Sequence, residues 1–181
     1  MPGAEFVLEP FPGSRPADGL RVTGTVRRTG AALHVDWRLE APGEAVAVPD
    51  QASRPERRRD LWKETCFEFF LRNPRREAYW EFNLSPSGHW NVFRFAGYRS
   101  GMTDETAIGA LACSVASAGS RCSASASMDM TALGLAAEPW ELAISTVVAA
   151  PSGQVSYWAL THPGSQPDFH HPEAFSLRLD A

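Results

Sequence analysis

The segments "TCFEFFL" and "YWEFNLS" set Glu68, Glu81 and Asn83 at alternating positions among apolar residues. In an extended chain, successive side chains point to opposite faces. Phe67, Phe69 and Leu71 then share one face of the first segment, with Cys66, Glu68 and Phe70 on the other. In the second, Trp80, Phe82 and Leu84 oppose Tyr79, Glu81, Asn83 and Ser85. The apolar sets must meet a core, so neighbouring strands would carry Glu68, Glu81 and Asn83 together on the opposite face. In the return strand "HWNVFRF", Asn91, Phe93 and Phe95 alternate with Trp90, Val92 and Arg94, and the register across "SPSG" decides which set joins which face. Carboxylate, amide and guanidinium groups make planar, often bidentate hydrogen bonds to vicinal hydroxyls. An aromatic ring covers the apolar C–H face of a pyranose. This chemistry suits a sugar, with Glu68, Glu81, Asn83 and Arg94 as hydrogen-bonding groups and Trp62, Trp90 or Tyr79 as stacking rings. The competing reading is a solvated sheet face on which Glu68 or Glu81 pairs with Arg94, contributing ~0–1 kcal/mol.

Other reactive side chains form no recognised constellation. His162, His170 and His171 sit in one loop, "THPGSQPDFHHP", without H-E-x-x-H or facial-triad spacing, so a Pro-rich loop pinned by histidine hydrogen bonds is expected. G-x-S-x-G, P-loop and G-x-G-x-x-G motifs are absent from the sequence. Glu64, Glu68 and Glu81 leave a carboxylate pair acting on a small sugar as an alternative, their separation being invisible in the sequence. Cys66 shares the Glu68 face and reads as a buried small hydrophobe. Cys113 and Cys122 are expected to face each other across a hairpin as unbonded thiols, the three cysteines containing no C-x-x-C pair.

These residues need strands to position them. "EFVLE" (Glu5 to Glu9), "LRVTGTVRR" (Leu20 to Arg28) and "ALHVDWRLE" (Ala32 to Glu40) alternate, the last two joined as a hairpin by a Gly-containing turn. A long loop follows, with a short strand expected at Val46 to Val48 and a solvated basic run at Arg57 to Arg59. Strands are then expected over Leu61 to Arg72, through the Tyr79 to Phe95 hairpin, on either side of "AGS" (118–120), over Pro139 to Ala150 and Gln154 to Leu160, and in "FSLRLD". "TALGL" fits a single helical turn. With about ten or eleven strands and no amphipathic helix, the pattern specifies an all-β antiparallel sandwich or barrel in one domain.

Bulk properties narrow the partners. The 181 residues are 44% hydrophobic and 21% charged, with a net charge of −4. That balance supplies a core and no basic surplus, arguing against nucleic acid and anionic membrane as partners. No apolar run approaches the ~20 residues of a membrane helix. The start "MPGAEFVLEPFPG" lacks the features of a secretory signal, so a cytoplasmic location is expected. The composition leaves the oligomeric state open.

Taken together, "LWKETCFEFFL", "YWEFNLSPSGHWNVFRF", "GYRSGM" and "SYWALTHPGSQPDFHHPEAFSLRL" resemble the bacterial DOMON-like proteins, relatives of the family-nine carbohydrate-binding modules. The resemblance runs from about Leu20 to Leu179 and rests on Trp62 six residues before Glu68, followed by the Pro-Ser-Gly hairpin. It implies a single jelly-roll β-sandwich of two sheets spanning 1–181, binding a sugar or haem without an established catalytic role. It carries Glu68, Glu81 and Asn83 over as ligand-face residues. The haem alternative, which implies one Met and one His across a pocket, would draw on Met102, Met128 or Met130 with His89, His162, His170 or His171.

Overall fold

The computed structural model describes residues 3–118 and 121–180. Its strands are β1 (Ala4–Pro10), β2 (Arg21–Thr29), β3 (Ala32–Glu40), β4 (Cys66–Arg72), β5 (Tyr79–Leu84), β6 (Trp90–Phe95), β7 (Thr103–Asp104), β8 (Ala112–Ala118), β9 (Arg121–Asp129), β10 (Trp140–Ala149), β11 (Val155–Ala159) and β12 (Leu177–Leu179). Three short 3₁₀ turns, Leu61–Lys63, Met130–Leu133 and Pro172–Ala174, are the helical elements among the described residues. The second fulfils the expectation for "TALGL".

The all-β class and antiparallel pairing are as the alternation required. The hydrogen bonding, however, runs through one curled sheet in the order β7-β6-β5-β4-β10-β11-β1-β2-β3-β9-β8, with β12 added beside β10. β1 joins the two halves: Ala4 to Leu8 pair with β2, while Glu9 and Pro10 pair with β11. The curl brings Trp37 of β3 against β4, its ring centroid 5.9 Å from Phe67 and 6.1 Å from Phe69. Phe69 stacks on Phe82 at 4.2 Å, and these rings lie in the main core with Val22, Val35, Leu39, Leu84 and Leu142.

Local departures from the expected elements have simple causes. β7 is too short to alternate legibly, and Val46 to Val48 form no strand. Ala47 instead donates its N–H to Ala149 O at 2.7 Å. Cys113 pairs with Ala126, and Cys122 with Ser117, so the register separates the two thiols; all three cysteines are free. Gly119 and Ser120 of the expected "AGS" turn lie outside the described residues.

The basic run is not uniformly solvated. Arg57 donates to Asn91 Oδ1 at 2.7 Å and to the carbonyls of Val92, Glu105 and Ile108, with its guanidinium 4.5 Å over the Trp90 ring. It clamps the β6 edge, while Arg58 and Arg59 make exposed ion pairs with Glu56 and Asp104.

Candidate functional site

The register resolves the central hairpin. Gly88, at φ +91°, closes the Pro86-Ser87-Gly88 turn in a conformation open to glycine. Leu84 consequently pairs with Trp90, Asn83 with Asn91, Glu81 with Phe93 and Tyr79 with Phe95. β4 lies against β5 with Glu68 opposite Asn83 and Phe70 opposite Glu81. Glu68 and Glu81 are therefore diagonal neighbours on one face, about 7–8 Å apart at the backbone. Ser145 of β10 stands across from Glu68 on its other side.

This second face is covered. β4 is buried from Cys66 to Leu71, and β5 at all six positions. Phe70, Tyr79, Phe93, Phe95, Ala143, Ala174 and Phe175 form a smaller core, with Trp62 and Phe169 packed on it. The cover comes from the segment 161–176 after β11 and the loop 96–102 after β6. Their junction is an Asp168 carboxylate that accepts from the Tyr98 hydroxyl and from Arg99 Nε and Nη2, the last at 2.7 Å. Partial burial works against its charge, but these hydrogen bonds hold the Asp168 pKa below the usual range.

Between face and cover lies a cavity of about 400 Å³. Glu68 and Glu81 line its floor, Trp62, Phe70, Phe95, Tyr157 and Phe169 supply rings, and Arg99, Met102 and His170 complete the wall and mouth. Glu68 is 2% exposed, and its Oε1 has no hydrogen-bond partner. Burial, then the neighbouring Glu81 carboxylate, pushes the Glu68 pKa well up; Cys66 and Ser145 beside it oppose this in part. Ser145 Oγ is likewise buried without a partner. Glu81 accepts from Asn83 Nδ2 at 2.7 Å. Burial raises the Glu81 pKa to about 7 against the lowering effects of that bond and of Arg99. The same desolvation, aided by Glu68, keeps Cys66 a protonated thiol.

His170 connects floor and cover. Its Nδ1 lies 2.8 Å from Tyr79 Oη, which also accepts from the Arg99 backbone N–H at 3.2 Å. Burial, then the Arg99 charge, lowers the His170 pKa to about 4, so the ring is neutral near pH 7. The other ring nitrogen, Nε2, lies 3.7 Å from Glu81 Oε2. Desolvation also drives the Tyr79 pKa up to about 12. Arg99 holds φ +49°, a left-handed conformation uncommon for a side-chain-bearing residue, where it both closes the mouth and reaches Tyr79.

Of the residues singled out from the sequence, Glu68, Glu81 and Trp62 line the cavity. Asn83 and Tyr79 stand behind it, orienting Glu81 and His170. The structure does not bring Arg94 or Trp90 to the cavity. Both follow the alternate set of β6: Arg94 pairs with Trp80 and is exposed, and Trp90 lies in the main core beneath Arg57. Sequence reasoning missed Arg99 and Phe169, which come from loops with no period to read, and Tyr157 of β11 as wall residues.

The haem ligands implied by the resemblance do not fit. Met102 and His170 do line one cavity, but the two imidazole nitrogens face Tyr79 and Glu81. Met128 and Met130 belong to the main core. His89 Nδ1 accepts from Glu56 N–H, His162 Nε2 contacts Glu9 O, and His171 caps the last 3₁₀ turn. Among the described residues, no group of three or more His, Cys, Asp or Glu side chains is placed to hold a metal ion. No described helix is long and apolar enough to cross a membrane.

No protein-family model and no curated protein sequence matches the chain. Solved structures do resemble its fold. A candidate carbohydrate-binding protein from Bacteroides uniformis superposes with a TM-score of 0.62 at 14% identity, covering 94% of this chain and 83% of that one. A family-nine carbohydrate-binding module from Caldicellulosiruptor kristjanssonii, in complex with cellotriose, gives 0.56 at 8% identity over 96% and 76%. A family-nine module from the same organism, in complex with glucose, gives 0.51 at 10% identity over 93% and 78%.

Proposed function

We propose that the chain is a non-catalytic binding domain whose cavity takes a small polar ligand of the carbohydrate class. The observation that carries this reading is Glu68: a buried carboxylate with an unpartnered oxygen, lining an aromatic-walled cavity beside a second carboxylate. Buried polar groups are ordinarily hydrogen-bonded. A ligand hydroxyl would supply the missing donor, and Trp62 or Phe169 would cover the sugar's C–H face. The cavity volume falls within the ~300–1,000 Å³ range of small-molecule sites. The fold neighbours that hold cellotriose and glucose support the ligand class.

In this reading the protein is a DOMON-like relative of the family-nine modules, working as a soluble cytoplasmic domain. The two halves of the sheet, closed face to face on Trp37, Phe67 and Phe69, act as the layers of a jelly-roll sandwich. Isothermal titration calorimetry with mono- and disaccharides tests it. Saturable binding that weakens about tenfold or more in Trp62→Ala and Glu81→Gln is expected. Absence of heat at millimolar sugar, with an unmoved melting temperature, would overturn it.

The adjacent, unequally placed carboxyls support a second reading, acid–base chemistry on a small sugar. That reading requires turnover that disappears in Glu68→Gln while the fold is kept.

A further inference from the structure

The cavity is electrostatically one-sided. Glu68 and Glu81 line its floor, and each carries a formal negative charge when ionised. The nearest cation, Arg99, gives two guanidinium hydrogen bonds to Asp168 at the solvent-exposed mouth, so its charge is already matched. His170 presents a neutral ring. Asn83 occupies Glu81 Oε1 but leaves Oε2 without a hydrogen bond, and Glu68 Oε1 has no partner. Two adjacent carboxyls are therefore held toward their protonated forms by burial, and among the described residues no unmatched cation stands beside them to ionise the pair. A neutral hydroxyl would supply a single donor; an ammonium supplies three donors and a charge that favours ionisation of the pair.

The walls favour an organic cation over a metal ion. Metal ions need several oxygen, nitrogen or sulfur ligands, whereas this cavity offers two carboxylates within rings from Trp62, Phe70, Phe95 and Phe169. Aromatic faces attract alkylammonium groups through the ring quadrupole.

We propose that the ligand carries a protonated amine, received between Glu68 and Glu81 under the aromatic wall, and that within the carbohydrate reading on which this rests it is an amino sugar. Glu68 is then a specificity residue whose unpartnered oxygen receives the ammonium.

The test is calorimetry on the full chain with glucosamine, glucose, N-acetylglucosamine and propylamine near pH 7. Glucosamine is expected to bind at least about tenfold tighter than glucose, and N-acetylglucosamine, whose nitrogen is uncharged, no better than glucose. In Glu68→Gln the glucosamine-to-glucose ratio should fall below about threefold, circular dichroism reporting whether the variant is folded. Should that variant misfold, the same ratio in the unmodified protein should drop as the pH is lowered well below 7 and the pair protonates. The groups facing the pair in that titration are Cys66 on β4, Tyr79 on β5, Arg99 from the loop after β6, and Asp168 and His170 from the cover.

Glucose binding as tightly as glucosamine would overturn the amine assignment and leave the carbohydrate reading standing. Propylamine binding with no sugar bound would uphold ammonium recognition and overturn the sugar class. No binding by any of the four would overturn both.

Discussion

β3 and β9 alternate between buried and exposed positions, whereas β4 and β5 are buried almost throughout. Both pairs began from the same period-two pattern of apolar and polar residues. On β3 the polar set, including Asp36, Arg38 and Glu40, points to water and needs nothing further. On β4 and β5 the equivalent set, Glu68, Glu81 and Asn83, lies beneath the 161–176 segment. Alternation thus dictates which side chains share a face; what happens to the second face depends on whether distant chain covers it. Carboxylates retained under such a cover are expensive to bury, which is why this half of the sheet, and not the other, holds the candidate site.

The sharpest way to probe the difference is with the two faces of the covered half. Phe82→Ala, in the main core and stacked on Phe69, should destabilise by about 3–5 kcal/mol in chemical denaturation. Phe70→Ala should cost clearly less, although Phe70 is equally buried, because its ring borders a cavity on one side. Equal losses would mean that the second face is packed like the first, leaving no room for a ligand.

The next effect is pH dependence. Glu81 is raised from 4.5 to about 7 on folding, so its contribution is present below about pH 4.5 and lost as the pH rises through about 7. Glu81→Gln should remove a loss on the order of 3 kcal/mol over that window. His170 is lowered from 6.5 to about 4, so its contribution is lost as the pH falls through that interval. His170→Gln should remove this opposing slope, making stability fall more steeply with rising pH than in the unmodified protein. Melting temperatures from about pH 4 to 8 would show both effects, and parallel profiles for all three proteins would contradict the burial described here.

Smaller effects separate the arginines. Arg57→Ala strips donors from Asn91 and three carbonyls and should cost about 1–3 kcal/mol. Arg94→Ala, and Asp36→Asn on the open half, should change stability by no more than about 0.5 kcal/mol. Arg94→Ala should also leave sugar binding unaltered in calorimetry, because its side chain emerges from the other face of β6.

Much of this was legible in the residues. The core faces of β4 and β5 follow from alternation alone, and with them the company of Glu68 and Glu81. Placing Trp90 and Arg94 required a register across "SPSG" that period two leaves open by one residue, and a one-residue slip exchanges the faces of an entire strand. Arg57 was obscured by its neighbours: three consecutive arginines read as a charged loop, and the carbonyls that capture the first belong to residues 35 to 51 positions later. The cover was least legible. His170, Phe169 and Arg99 reach the cavity from loops without period, and their meeting depends on the Asp168 junction, a contact across 69 positions.

The central claim, that the cavity under this cover binds a sugar, is tested most directly by a heteronuclear NMR titration with glucose and glucosamine. The account predicts saturable shifts concentrated at Trp62, Glu68, Glu81, Arg99 and His170, with the β8–β9 hairpin unmoved. Shifts centred on that hairpin, or no shifts at saturating sugar, would contradict it.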